Sequence, residues 1–201
     1  MLSWQRTPVA IGVDPSSPEQ VVLGEIYSQI FNGMGYAAGV SSIEHDGTDA
    51  LTLLRTEPVD LVITCTGTLL EAQDPDAATE LKESGIEGEE LSLATYDAMV
   101  ATFPYDMSTV NPSPAQGCAK TGGGKGGKDD GKALPQNIVP VFADTKFDHG
   151  TEYRINFITR VMATDDMAEI AADVENGTPV REAVAEWIAE YAGIMSELPE
   201  G

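Results

Sequence analysis

Basic side chains are scarce: 11 Lys and Arg stand against 33 Asp and Glu in 201 residues, a formal charge of -22. A field of that sign repels phosphate backbones and anionic bilayers, which excludes nucleic acid as a partner. Cysteine and histidine are scarcer still, at two each. Cys65 and Cys118 form neither a CxxC pair nor a zinc-ligand spacing, and His45 and His149 lie far apart and are expected at the surface. No metal site follows from them, and the two cysteines fit either a disulfide in an oxidising compartment or two separate thiols. No apolar run reaches the roughly 18 residues that a bilayer crossing requires. Met1-Leu2-Ser3-Trp4 lacks the apolar stretch of a secretory leader, and strand-like sequence begins almost at once. A nucleophile elbow of the G-x-S-x-G type is also missing. Nothing in these residue types argues for an enzyme, and no cofactor is expected.

What is present is an alternation of strand and helix patterns. PVAIGV (8–13) is an apolar run of buried-strand type, and DPSSP turns it into a helix. Ser17 is placed to cap, Pro18 suits the first helical position, and Gln20 stands where a capping-box partner reaches back. Leu23, Ile26, Tyr27, Ile30, Phe31 and Met34 then recur at helical spacing until Gly33 and Gly35 supply a stop. YAAGVSSI (36–43) reads as a second strand, TDALTLLRT (48–56) as a helix and VDLVIT (59–64) as a third strand. TGTLLEA and DPDAATELKES predict one interrupted or two short helices, and LATYDAMVATF (93–103) reads as a strand. NIVPVFA (137–143) is a further strand, followed by helices over 151–162, over 164–177, and from Thr178 onward. This order implies a single-core α/β domain: a mostly parallel sheet with helices on both faces, whose ligands sit beyond the carboxyl ends of the strands.

The interval 104–136 shows no periodicity and is expected to be a loop. Within it, CAKTGGGKGGKDDGKA holds four of the chain's six lysines. Glycine amides and lysine in GGGKGGK invite a phosphate-loop reading, but no Ser or Thr follows either of its lysines and no strand feeds directly in. That reading is set aside.

IGVDPSSPEQVVLGEIYSQIF resembles the opening of the substrate-binding proteins of glycine betaine, choline and carnitine ABC transporters, through its E-Q-x-x-L-G-E-I-Y core. VDLVITCTGTLL resembles that family's V-D-V-Y-P-E-Y-T-G-T-L-L, and TYDAMV resembles its T-Y-A-L-A-V. NIVPVFADTKF and ATDDMAEIAADVENGTPVREAVAEWIAEY are similar to its closing segment. The resemblance implies a type II periplasmic-binding-protein-like fold. Members have two lobes, the second inserted between the blocks that here are TYDAMV and NIVPVF. So short an interval implies one lobe only: 1–103 and 137–196 as a discontinuous α/β lobe, 104–136 as a flexible loop replacing the second, and 197–201 as a tail.

The resemblance also implies a site, and departures from it. Aligned on T-G-T, two family tyrosines become Val62 and Cys65; aligned on T-Y, its asparagines become Leu93 and Ala94. Gln20, Thr66, Thr68 and Tyr96 remain, with Asp14 and Asp97 as counter-charges. Quaternary ammonium groups are held by aromatic faces, so a site with one aromatic implies weak binding of a small cationic or zwitterionic solute. The implied role is an extracytoplasmic solute-binding component of an osmoprotectant-type transporter, partnered by the transporter's membrane subunit or another protein. The alternative is a protein-interaction module on the same lobe. A small enzyme built on Asp14 and Glu19 is the third reading.

Overall fold

The computed structural model describes residues 6–118 and 133–196. β1 (Val9–Val13) leads into α1 (Pro18–Gly33), β2 (Ala38–Ser42), α2 (Ala50–Thr56) and β3 (Leu61–Cys65). Then come α3 (Thr66–Gln73), α4 (Pro75–Glu83), α5 (Gly88–Ala101), β4 (Met107–Thr109) and β5 (Ile138–Ala143). α6 (His149–Val161), α7 (Thr164–Glu175) and α8 (Val180–Ser196) close the chain. The strands form one sheet in the order β2-β1-β3-β5-β4. β1 pairs in parallel with β2 and β3, while β5 runs antiparallel to both β3 and β4. Four strands therefore share a direction and only β5 is reversed, which places the carboxyl ends of β1, β3 and β4 and the amino end of β5 on one sheet edge.

Local signals account for the starts of α1, α2, α4 and α6. Ser17 Oγ accepts the Gln20 N–H at 3.3 Å with Pro18 in the first turn. Asp49, Asp74 and Asp148 cap α2, α4 and α6 in the same way, each accepting an N–H three residues on. Along β3 the residues alternate between two separate cores, because successive side chains of a strand point to opposite faces. Leu61, Ile63 and Cys65 join a cluster with Tyr27, Phe31, Phe142, Ile155, Ile158 and Trp187, built under α1 and α6–α8. Val62 joins Leu53, Leu69, Leu70, Met99 and Val141 under α2–α5. The expected single core is thus two, one on each side of the sheet. Among the described residues no helix is long and apolar enough to cross a membrane.

Three sequence expectations are corrected. LATYDAMVATF is not a strand: residues up to Ala101 belong to α5, where Thr95 and Met99, one turn apart, are fully buried and Thr95 Oγ1 donates to the Leu91 carbonyl. A short apolar run does not distinguish a strand from a buried helix; the neighbour decides, and α5 packs along α3. The strand beside β5 is instead β4, inside the interval read as structureless. The described residues after β4 are also tied to the returning chain, with Ser113 N donating to Ile138 O, Ile138 N to Ala115 O and Gly117 N to Gln136 O. The Gly-Lys run, in 119–132, lies outside the described residues, as does the tail 197–201. Third, the Gln20 side chain makes no capping box; its Nε2 crosses to the Ile63 carbonyl of β3 at 3.2 Å.

Candidate functional site

The sheet edge that ends β1, β3 and β4 carries most of the predicted site. Asp14 follows β1 directly and turns the chain: Oδ1 accepts Ser16 Oγ at 2.6 Å and Ser16 N at 2.9 Å. Those two bonds, the hydroxyl first, hold its carboxyl below the ordinary range. Gln20, 8% exposed, has its Nε2 at Ile63 O, while its Oε1 is buried without a hydrogen-bond partner. His45, expected at the surface, is half-buried with Nε2 unpartnered. Burial pushes its pKa down, and nearby Asp14 opposes part of that shift.

Thr66 and Thr68 open α3, but their polar groups are already engaged. Thr66 Oγ1 donates to Pro135 O at 3.0 Å and accepts from Asn137 N at 3.2 Å. Gly67 N donates to Pro135 O at 3.1 Å and Thr66 N to Asn137 O at 2.9 Å. Gln136 Oε1 accepts both Thr68 N, at 2.8 Å, and Thr68 Oγ1, at 3.0 Å. A helix N-terminus is a natural place for an anion; here the segment 135–137 takes its donors.

Tyr96 is half-buried on α5, its hydroxyl donating to Val110 O, just beyond β4, at 3.0 Å. Burial, then the charge on Asp97, pushes its pKa up. Asp97 itself is exposed. Asp14, Gln20, Thr66 and Thr68 therefore share the edge, with Tyr96 tied to the same end of the sheet through its hydroxyl.

Cys65 and Cys118 are joined in a disulfide, with Cα atoms 6.2 Å apart. It links the end of β3 to the segment after β4. Glu19 lies against it: its carboxylate accepts the Cys118 N–H at 3.1 and 3.2 Å, and burial raises its pKa while that N–H opposes the rise. Sequence reasoning considered Glu19 only as one half of an acid pair with Asp14, and missed Gln136 and Asn137 altogether. The only signal for these was the E-Q dipeptide and the position of PQN at the entry to a strand.

Two shallow concavities among the described residues lie elsewhere. One of about 380 Å³ sits outboard of β2, lined by Ser42, Ile43, Glu44, Asp46, Leu53 and Glu57 among others. The other, of about 180 Å³, opens at the opposite sheet edge between Arg55, Asp60, Asp106 and Lys146. Neither is lined by a predicted ligand residue.

Neither a protein-family model nor a curated protein sequence matches the chain. Solved structures do. Apo YehZ from Escherichia coli aligns with a TM-score of 0.68 at 10% identity, covering 92% of this chain and 99% of that one. Lactococcal OpuAC, in its closed-liganded conformation complexed with glycine betaine, aligns with a TM-score of 0.52 at 10% identity, covering 96% and 98%. The chain has a periplasmic-binding-protein-like α/β fold. At this identity the likeness is one of fold.

Proposed function

We propose that the protein is an extracytoplasmic binding protein for a small cationic or zwitterionic solute, related to the receptors of osmoprotectant transporters, that binds its solute weakly. The observation that carries this is the likeness, over 96% of the chain, to a protein solved in complex with glycine betaine. The site is the edge bearing Asp14, Gln20, Thr66 and Thr68, with Tyr96 and its sequence neighbour Asp97 contributed by α5, and the net charge of -22 favours a cationic group there. Weakness follows from chemistry. A quaternary ammonium has no N–H to donate, so its binding comes from aromatic faces, about 2 kcal/mol or more for each desolvated contact, and Tyr96 is the one aromatic of the set. The third reading, an enzyme, finds less support: Asp14 and Glu19 are committed to the N–H groups of Ser16 and Cys118.

A protein-interaction role on the same edge is the second reading. It is favoured by the hydroxyls of Thr66, Thr68 and Tyr96, each already bonded within the chain. On this reading a transporter membrane subunit or another chain covers the edge.

Thermal melts and calorimetry with glycine betaine, choline, carnitine and proline separate the two. A solute at ten times a millimolar Kd stabilises the fold by about 1.4 kcal/mol, a rise of a few degrees in Tm. Tyr96→Ala abolishes that rise, read as the difference between its own melts with and without solute, because truncating a half-buried, hydrogen-bonded tyrosine also lowers the solute-free Tm. No shift with any of the four refutes solute binding and leaves the interaction role.

A further inference from the structure

Three potential metal ligands from three separate parts of the chain converge where β3 meets α3. Cys65 ends β3, Cys118 is the last described residue of the segment after β4, and Glu19 sits in the first turn of α1. Their sulfur and carboxylate oxygen atoms all lie within 4.8 Å of one another. The carboxylate is turned into this corner, bonded to the Cys118 N–H and packed on Gly117, where any β-carbon would collide with it. Among the described residues no Lys, Arg or His forms an ion pair with Glu19. Beside it, the amide of Gln20 is held by Ile63, two residues before Cys65, with Oε1 buried and unpartnered. A half-buried carboxyl with no ion-pair partner among the described residues and an orphaned amide oxygen are both deficits that a cation removes.

In the oxidised chain the two sulfurs are bonded to each other, whereas the thiolate is the metal-binding form of cysteine. We propose that reduction of the Cys65–Cys118 disulfide turns this corner into a site for a thiophilic divalent cation of the Zn²⁺ type, held by both Sγ atoms and a Glu19 carboxylate oxygen, with water as fourth ligand. A phosphine reductant gives up two electrons and takes the oxygen of one water to become phosphine oxide, the two protons of that water go to the sulfurs, and the S–S bond gives way to two thiols. The cation then displaces the thiol protons, and any on Glu19, into solvent as the three groups coordinate. Zn–S bonds of about 2.3 Å and Zn–O bonds of about 2.0–2.2 Å put tetrahedral donors roughly 3.3–3.8 Å apart. The carboxylate therefore shifts by about 1 Å or less, and rotation of the cysteine side chains spreads the sulfurs. The bound cation takes over the disulfide's tie between β3 and the 110–118 segment, and adds α1 to it.

Co²⁺, whose spectrum reports its ligands, is the probe. The metal-free full-length chain is compared as isolated and after phosphine reduction, with circular dichroism following the fold. The reduced chain takes up one Co²⁺ per chain, with thiolate-to-metal charge-transfer absorption and the intense visible bands of a tetrahedral site, and Zn²⁺ bleaches both. The oxidised chain shows neither. Cys118→Ser abolishes the tetrahedral bis-thiolate spectrum in the reduced chain. Glu19→Gln keeps both thiolates but weakens Co²⁺ binding by about tenfold or more, a loss that even outer-shell partners of a metal produce. The proposal is overturned by a reduced chain that unfolds or stays colourless, by one cation shared between two chains, or by unchanged affinity in Glu19→Gln.

Discussion

Gly67→Ala sets two physical effects against each other. Gly67 is the second residue of α3, and alanine is the better helix former by about 1 kcal/mol, so propensity alone predicts stabilisation. Packing predicts the reverse. A β-carbon there would lie 2.7 Å from Pro135 O, 2.9 Å from Gln136 Nε2 and 2.9 Å from Leu134 Cβ. Two of those atoms are backbone or Cβ and move only with the chain, so 134–136 must retreat by roughly 0.5 Å or more to reach ordinary contact distances. Retreat stretches the bonds of Gly67 N and Thr66 Oγ1 to Pro135 O, now 3.1 and 3.0 Å. Overpacking of this kind costs about 1–3 kcal/mol, and a net loss near 2 kcal/mol lowers Tm by about 4–8 °C in a chain of this length. Gly33→Ala, also in a helix but with no atom within 4 Å of the new carbon, is the control and gains up to about 1 kcal/mol. Urea unfolding by circular dichroism measures both. A Gly67→Ala variant as stable as the parent refutes the claim that α3 is docked against the returning chain.

Reduction of Cys65–Cys118, which closes a loop with sequence separation 53, lowers the unfolding free energy by about 4 kcal/mol in metal-free urea titrations; a drop below about 1 kcal/mol contradicts the staple role. Tyr27→Phe removes a 2.7 Å bond between two fully buried hydroxyls, those of Tyr27 and Thr159, and costs about 1–2 kcal/mol; an unchanged Tm contradicts this. Burial raises the Glu19 pKa, so between its ordinary value of about 4.5 and its folded value the folded chain binds more protons, and this group's contribution to stability falls as pH rises. Glu19→Gln, compared with the parent by urea titration across pH, therefore gains relative stability as pH climbs past about 4.5; a gap constant with pH overturns the burial argument.

How far residues alone foretold these features depends on range. β1 and α1 were legible because PVAIGV, Ser17, Pro18 and the Leu23–Met34 spacing act within a few residues of themselves. Gln20 was placed correctly beside the cap, yet its side chain bonds to β3 rather than to its own helix, a partner 43 positions away. α5 was mistaken for a strand because LATYDAMV satisfies both periods and only the flank of α3 selects the helical one. β4 escaped notice altogether: Met107–Thr109 has no strand signature of its own and pairs because β5 presents an open edge. Of the candidate site, Asp14, Gln20 and the two threonines come from the family resemblance, and the packed sheet places them along one edge. That Thr66 and Thr68 are engaged by 135–137 was illegible, since nothing near PQN encodes its contact with α3.

The order of strands and helices outside α5 and β4, the net acidic charge and the edge where the strands end are properties of the sequence itself, set by local spacing, capping and charge. The tertiary structure decided the rest: that Cys65 and Cys118 meet, that Glu19 is turned against them, and that the returning chain fills the donors of α3. Each depends on residues distant in sequence being brought within bonding distance, and short-range pattern carries no information about which distant partner the packed sheet will supply.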